Sequence, residues 1–209
     1  VLPLYWSPSE RGRQVPANAE WTKCVSALLG RPARAVYQVQ NLDLLTSYNH
    51  RVKALETRSN IHSFRVKTDG SSLSSSMQLS ERANEKLLFH GTTPQAINAI
   101  LTQGFDPRLA SDGLFGHGAY FAEDLDKALC YSPRRHVIVA KVALGRVCVL
   151  NAHNKELKRA PCTGGSACSN GHCDHELHDS VCGEVASRLR EFILYVHDRA
   201  YPCFVVELS

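Results

Sequence analysis

With 209 residues the chain is long enough for one domain with a substantial buried core, and 44% hydrophobic and 21% charged content is ordinary for a globular protein. The 24 Lys and Arg against 20 Asp and Glu leave a net +4 spread along the chain, so no clustered basic face argues for a specific nucleic-acid partner. No stretch approaches the run of roughly 18 apolar residues that a membrane span needs, so no membrane partner is expected.

The start, VLPLYWSPSERGR, has neither an initiating Met nor a charged-then-apolar leader pattern, which reads as a fragment of a longer protein. Asn18 is placed to cap a helix whose buried face is Trp21, Val25, Leu28 and Leu29, and Gly30 closes it. ARAVYQVQ alternates as a strand does. Asn41 caps a second helix carrying Leu45, Tyr48, Val52 and Leu55 at spacings of three and four. From Ser59 to Ser80 the periodicity is lost, and SSLSSS marks the segment as a flexible loop. LLFH is a short buried strand, and Thr93-Pro94 starts a helix with Ala96, Ile97, Ile100 and Leu101 inward and Gly104 as its stop. GAYFA, HVIVAKVAL, VCVL, FILYV and CFVVEL are further strands, and EDLDKALCY is a short helix. Strands and helices out of strict alternation argue an α+β fold. Of the 8 cysteines, Cys24, Cys130, Cys148, Cys182 and Cys203 stand singly among apolar residues, as small buried hydrophobes do. That usage suits a reducing compartment, cytoplasmic or nuclear.

Four separated pieces carry the functional signal: LLFHGTT (Leu87 to Thr93), GHGAYFAE (Gly116 to Glu123), Tyr131, and EFILY (Glu191 to Tyr195). In this order they resemble the catalytic domain of the poly(ADP-ribose) polymerase family, and GFDPRLASDGLFGHGAYFAE is similar to its tankyrase-like members. Val36 to Leu55 resembles the strand and helix that open that domain, and Asp198 to Leu208 its last strand. The resemblance divides the chain into an extension, 1–17, and a catalytic domain, 18–209, with the loop 59–80 and a Cys/His-rich insert, 160–180. It implies the ADP-ribosyltransferase fold, two packed, mostly antiparallel sheets with small flanking helices.

The implied activity moves ADP-ribose from NAD to protein acceptors and releases nicotinamide. Breaking the bond between a ribose carbon and a pyridinium nitrogen passes through an oxocarbenium-like state, which a fixed carboxylate stabilises. By resemblance the triad is His90, Tyr120 and Glu191. Glu191 stands at the mouth of a buried strand, the position of a carboxylate aimed by a rigid element, and Glu184 is its local rival. His90 would donate to a ribose hydroxyl. Gly91 would let a ligand approach the backbone, and Thr92 keeps a hydroxyl where the family often has Ser. Tyr120 and Tyr131 would sandwich the nicotinamide ring, with Lys127 on the acceptor side. Ala128 replaces a Ser that often bonds the carboxamide, and Arg108 would face the adenine or the diphosphate. The Glu in the triad permits chain elongation, and the reading leans towards polymer.

No Gly-x-Gly-x-x-Gly lies between a strand and a helix, so a Rossmann dehydrogenase is not supported. In the insert, Cys162, Cys168, Cys173 and His175 are of the types tetrahedral zinc uses, although their spacing lacks Cys-x2-Cys pairs; free thiols or a disulfide are the alternatives. Two functional rivals remain. One is an inactive NAD- or ADP-ribose-binding module. The other is a toxin-type transferase, which would want an Arg where this chain has His90.

Overall fold

A computed structural model describes residues 12–110, 112–165, 174–185 and 189–209. The caps expected from the sequence set its first elements. After a short edge strand, β1 (Arg13–Pro16), the Asn18 side chain accepts from the Trp21 amide at 2.8 Å and opens α1 (Ala19–Leu29). Gly30 ends that helix in the left-handed region, at φ 67°. β2 (Ala33–Gln40) leads to Asn41, which accepts from the Leu44 amide and opens α2 (Leu42–Glu56), with Tyr48, Val52 and Leu55 buried. α3 (Ser72–Ser76) precedes β3 (Glu85–Gly91), and α4 (Pro94–Gln103) follows with Thr93 as its cap.

A 3-10 turn (Pro107–Leu109) and two short strands, β4 (Asp112–Gly113) and β5 (Gly116–His117), lead into β6 (Ala119–Ala122) and α5 (Leu125–Leu129). Then come β7 (His136–Ala143), β8 (Val147–Leu150), β9 (Ser180–Gly183), β10 (Glu191–Leu194) and β11 (Ala200–Leu208). The fold is α+β, as expected. Nine strands are hydrogen-bonded in the order β1-β2-β11-β7-β3-β6-β10-β9-β8, antiparallel except for β8 with β9. The two expected sheets are the halves of this ladder, because β3 and β6 share only the pair Phe89–Ala122.

Period-two alternation explains why the central strands read as continuous apolar runs. Leu87, Phe89, Val137 and Val139 pack with α1, α2 and α3 on one face. Leu88, Ile138 and Ala140 pack with Ile97 and Leu101 of α4, and with Phe121 and Phe192 of the other half, on the opposite face.

Three local expectations change. The segment 59–80 is not merely a loop: α3 lies within it, Leu73 is 0% exposed and Val66 is buried. The serines make this possible by closing their own turn. The Ser71 hydroxyl accepts from the Ser74 amide, and Thr68 donates to the Leu87 carbonyl at 2.6 Å. Residues 13–16, part of the expected extension, pair along β2 instead. Among the single cysteines, Cys182 and Cys203 are buried and their thiols are pushed up to about 12 by desolvation; Cys24 and Cys148 are half-buried, and Cys130 is exposed. Among the described residues no helix is long and apolar enough to cross a membrane.

Leu73→Ala should cost about 2–5 kcal/mol in urea unfolding, the range for a fully buried leucine. A change within measurement error would return the segment to the status of an unanchored loop.

Candidate active site

Where β3 and β6 part beyond Phe89 and Ala122, a cleft of about 670 Å³ opens, within the range of small-molecule sites. His90, Gly91 and Thr92 line it from the β3 side, Tyr120 from β6, Lys127, Ala128 and Tyr131 from α5 and its end, and Glu191 from β10. Residues 101 positions apart in the chain, His90 to Glu191, are thus brought to one cavity.

His90 bridges the gap between the two strands. Its Nδ1 lies 2.7 Å from the Tyr120 carbonyl, and a carbonyl can only accept, so the hydrogen sits on Nδ1. Burial lowers the pKa of His90, against the opposing pull of that hydrogen bond, and keeps the ring neutral. The neutral ring then presents Nε2 as an acceptor for a hydroxyl, the reverse of the donation expected from sequence. Phe105 and Phe121 hold the imidazole plane, with ring centroids at 5.1 and 5.6 Å.

Gly91 is required by packing within the chain. A Cβ there would lie 1.7 Å from the Ala128 carbonyl oxygen, so the glycine lets α5 press onto β3. That contact sets the register of α5 and hence the positions of Lys127 and Tyr131. Ala128 is itself buried and lines the cleft.

Glu191 is 6% exposed and opens β10, opposite Ala122. Tyr120 lies two residues from Ala122, on the same face and diagonal to Glu191. Lys127 Nζ sits 3.1 Å from Glu191 Oε1, and the Tyr131 hydroxyl donates to the same oxygen at 3.3 Å. Among the described residues, Oε2 has no hydrogen-bond partner. Burial opposes the charge on Lys127, yet the Glu191 carboxylate raises its pKa overall. Burial, and then the Glu191 charge, also raise Tyr131. Tyr131 remains 54% exposed, an aromatic face at the rim, whereas the Tyr120 hydroxyl is engaged, donating to the Gly116 carbonyl and accepting from the Phe115 amide.

Arg108 does not join this group. Its side chain is 86% exposed and turned onto Asp106, which that guanidinium holds at a pKa of about 2. Glu184 is exposed at the end of β9, away from the cleft lining. For zinc, Cys168 and Cys173 lie outside the described residues. Cys162 forms an isolated bridge with Leu177, and among the described residues no group of three potential ligands gathers around it or His175.

Sequence reasoning missed two supporting groups. Glu123 is almost fully buried and receives two hydrogen bonds from Arg190, Nε and Nη2, each at 2.7 Å. Each member adjoins one of the paired residues Ala122 and Glu191, so the ion pair fastens β10 to β6 beside the carboxylate. Charged residues next to two motif strands were the available signal, but nothing in the sequence paired them. Lys155 also lines the cleft, from a segment with no motif.

A model described as the poly(ADP-ribose) polymerase catalytic domain matches residues 38–209. The chain is 32% identical over 160 residues to the human (Homo sapiens) protein mono-ADP-ribosyltransferase PARP3, a match covering 73% of this chain and 29% of that protein. To the mouse (Mus musculus) protein of the same name it is 30% identical over 103 residues, covering 46% of this chain and 19% of that protein. The chain therefore spans less than a third of the length of the curated relatives it matches.

Two expectations follow from the geometry. Gly91→Ala should destabilise the free protein by about 3 kcal/mol, because Ala128 backbone blocks the Cβ. Urea unfolding without ligand checks it, since a glycine required only for ligand approach would tolerate the change. The depressed His90 pKa contributes stability that is present above the unfolded value of about 6.5 and is lost as pH falls through the lower folded value. His90→Gln should therefore flatten the decline in stability below about pH 6.5, measured against wild type in parallel unfolding curves.

Proposed function

We propose, because the chain belongs to the poly(ADP-ribose) polymerase catalytic-domain family, that it transfers ADP-ribose from NAD to protein acceptors and releases nicotinamide. The observation that carries this reading is the gathering of His90, Tyr120 and Glu191 along one cleft at the parting of β3 and β6.

In the reaction the bond from ribose C1′ to the nicotinamide nitrogen breaks, and its electron pair leaves with nicotinamide as a neutral molecule. The acceptor atom forms a new bond to C1′ and gives up its proton to the Glu191 carboxylate or to solvent. Positive charge builds on the ribose between these events, and a carboxylate held rigidly beside it stabilises that state. Glu191 suits the role: Lys127 and Tyr131 hold it through Oε1, leaving Oε2 to face substrate or acceptor. His90 would seat the adenosine ribose through Nε2. The Tyr131 face at the rim and the Tyr120 ring inside would flank the nicotinamide, near Gly91 and Thr92.

The sequence leaned towards polymer extension, which Glu191 permits. Both relatives are named as mono-ADP-ribosyltransferases, and this supports single transfer as the reading for this chain.

Incubation with labelled NAD followed by electrophoresis should give a sharp labelled band. A ladder would mean polymer, and no label at all would leave an NAD- or ADP-ribose-binding module. Glu191→Gln should retain NAD binding by calorimetry yet lower transfer by ~100-fold, as befits an interaction made chiefly in the transition state. Undiminished turnover in that variant would remove Glu191 from the mechanism.

A further inference from the structure

Lys155 lines the cleft from the connection between β8 and β9, a stretch that carries none of the motif residues. Its backbone is held on both sides. The Asn154 amide donates to the Leu114 carbonyl at 3.0 Å, and the Leu157 carbonyl accepts from the His117 amide at 2.9 Å. Asn154 Oδ1 also accepts from the Glu156 amide, which turns the chain at Lys155. Leu114 and His117 belong to the β4–β5 hairpin, where a Cβ on Gly116 would lie 1.9 Å from the Leu157 oxygen, so the connection is pressed onto the hairpin. The Tyr120 hydroxyl is anchored on the same hairpin, at Phe115 and Gly116. One frame therefore places both the Lys155 backbone and the ring that would flank nicotinamide.

Charges on the cleft wall are few. Among the described residues they belong to Lys127, Lys155, Asp106 and Glu191, with the His90 ring neutral. Lys127 is committed to Glu191 at 3.1 Å, and Asp106 is covered by Arg108 at 2.7 Å. The Lys155 side chain is exposed and forms no ion pair among the described residues. It is the cation of the cleft wall that can meet an incoming anion without giving up a carboxylate.

NAD brings such an anion, the diphosphate that joins its two riboses. Its charge enters a cleft that already holds the Asp106 and Glu191 carboxylates, so a cation beside it is needed to offset repulsion and lost hydration. Resting on the transferase reading, we propose that Lys155 binds the diphosphate of NAD and positions the dinucleotide in the cleft. An ammonium group suits this task, because a point charge on a flexible stem meets phosphate oxygens from many directions. The diphosphate is remote from the bond that breaks and keeps its charge throughout the reaction. Lys155 therefore acts on binding of NAD, in the ground state and the transition state alike, and not on the chemical step.

Calorimetry on the whole chain, with NAD and with nicotinamide as probes, tests this. Lys155→Gln should weaken NAD about 10-fold, the scale of a lost hydrogen bond between charged groups, and leave nicotinamide, which has no phosphate, unchanged. Lys155→Arg should restore most of the NAD affinity. Added salt should weaken NAD binding more steeply in the wild type than in Lys155→Gln, a difference that a merely structural role would not produce. Initial rates with labelled NAD should show KM raised by a similar factor and kcat little changed. The side chain is exposed, so Lys155→Gln leaves the core intact. Unchanged NAD affinity in that variant overturns the proposal, and a rise only in the acceptor concentration needed would assign Lys155 to the acceptor instead. Equal weakening of NAD and nicotinamide also overturns it, since a distorted cleft gives that result. A wild type that neither binds NAD nor transfers label would remove the transferase reading and this inference together. NAD binding and transfer that are both insensitive to Lys155→Gln would remove the lysine assignment alone.

Discussion

Strands β3 and β6 meet in one pair, Phe89 and Ala122, and the rest of the site depends on their parting beyond it. A fully zipped ladder would place backbone where the cleft now lies. Parting leaves polar backbone near the core, and buried carbonyls need donors. The His90 ring supplies one to Tyr120, so the same imidazole that lines the cleft also ties its two sides together. Burial keeps the ring neutral, and the hydrogen bond, together with packing between Phe105 and Phe121, orients it.

Close packing then fixes α5. With no Cβ on Gly91, the backbone of Ala128 lies against β3, and Lys127 and Tyr131 converge on one oxygen of Glu191. The carboxylate is held from two further directions, by the β10 ladder and by the Arg190–Glu123 pair next to it. Removing one partner of such a pair strands a buried charge, so its value is in holding geometry more than in net stability. The Arg190 guanidinium is also stacked near Phe64 and Phe192, which joins the segment before β3 to the strand that carries Glu191.

At the other end of the same half-sheet, Asp179 collects Arg58, Arg199 and the Arg146 amide. Both centres bury a carboxylate among arginines, but they differ in balance. Arg190 and Glu123 match one for one. Around Asp179 two guanidinium groups, those of Arg58 and Arg199, share one carboxylate.

The sequence by itself determined the elements whose causes are local. Asn18, Asn41 and Thr93 cap helices by bonding their own next turn, and Gly30 stops one by its backbone freedom. The motif residues were legible too, because the order of His90, Tyr120 and Glu191 is a linear property. Only the tertiary structure decided what depends on residues remote in sequence. SSLSSS lacks periodicity, yet Leu73 reaches a core built by α1 and the central strands, and burial of that one side chain anchors the segment. The need for Gly91 comes from Ala128, and the hydrogen on His90 Nδ1 from the Tyr120 carbonyl. Arg58 and Arg199 meet on the Asp179 carboxylate, a pairing that no local stretch of the chain announces. Caps and motifs act over a few residues of chain, whereas charge balance and close packing act through space, and that is the physical division between what could be read and what had to be folded.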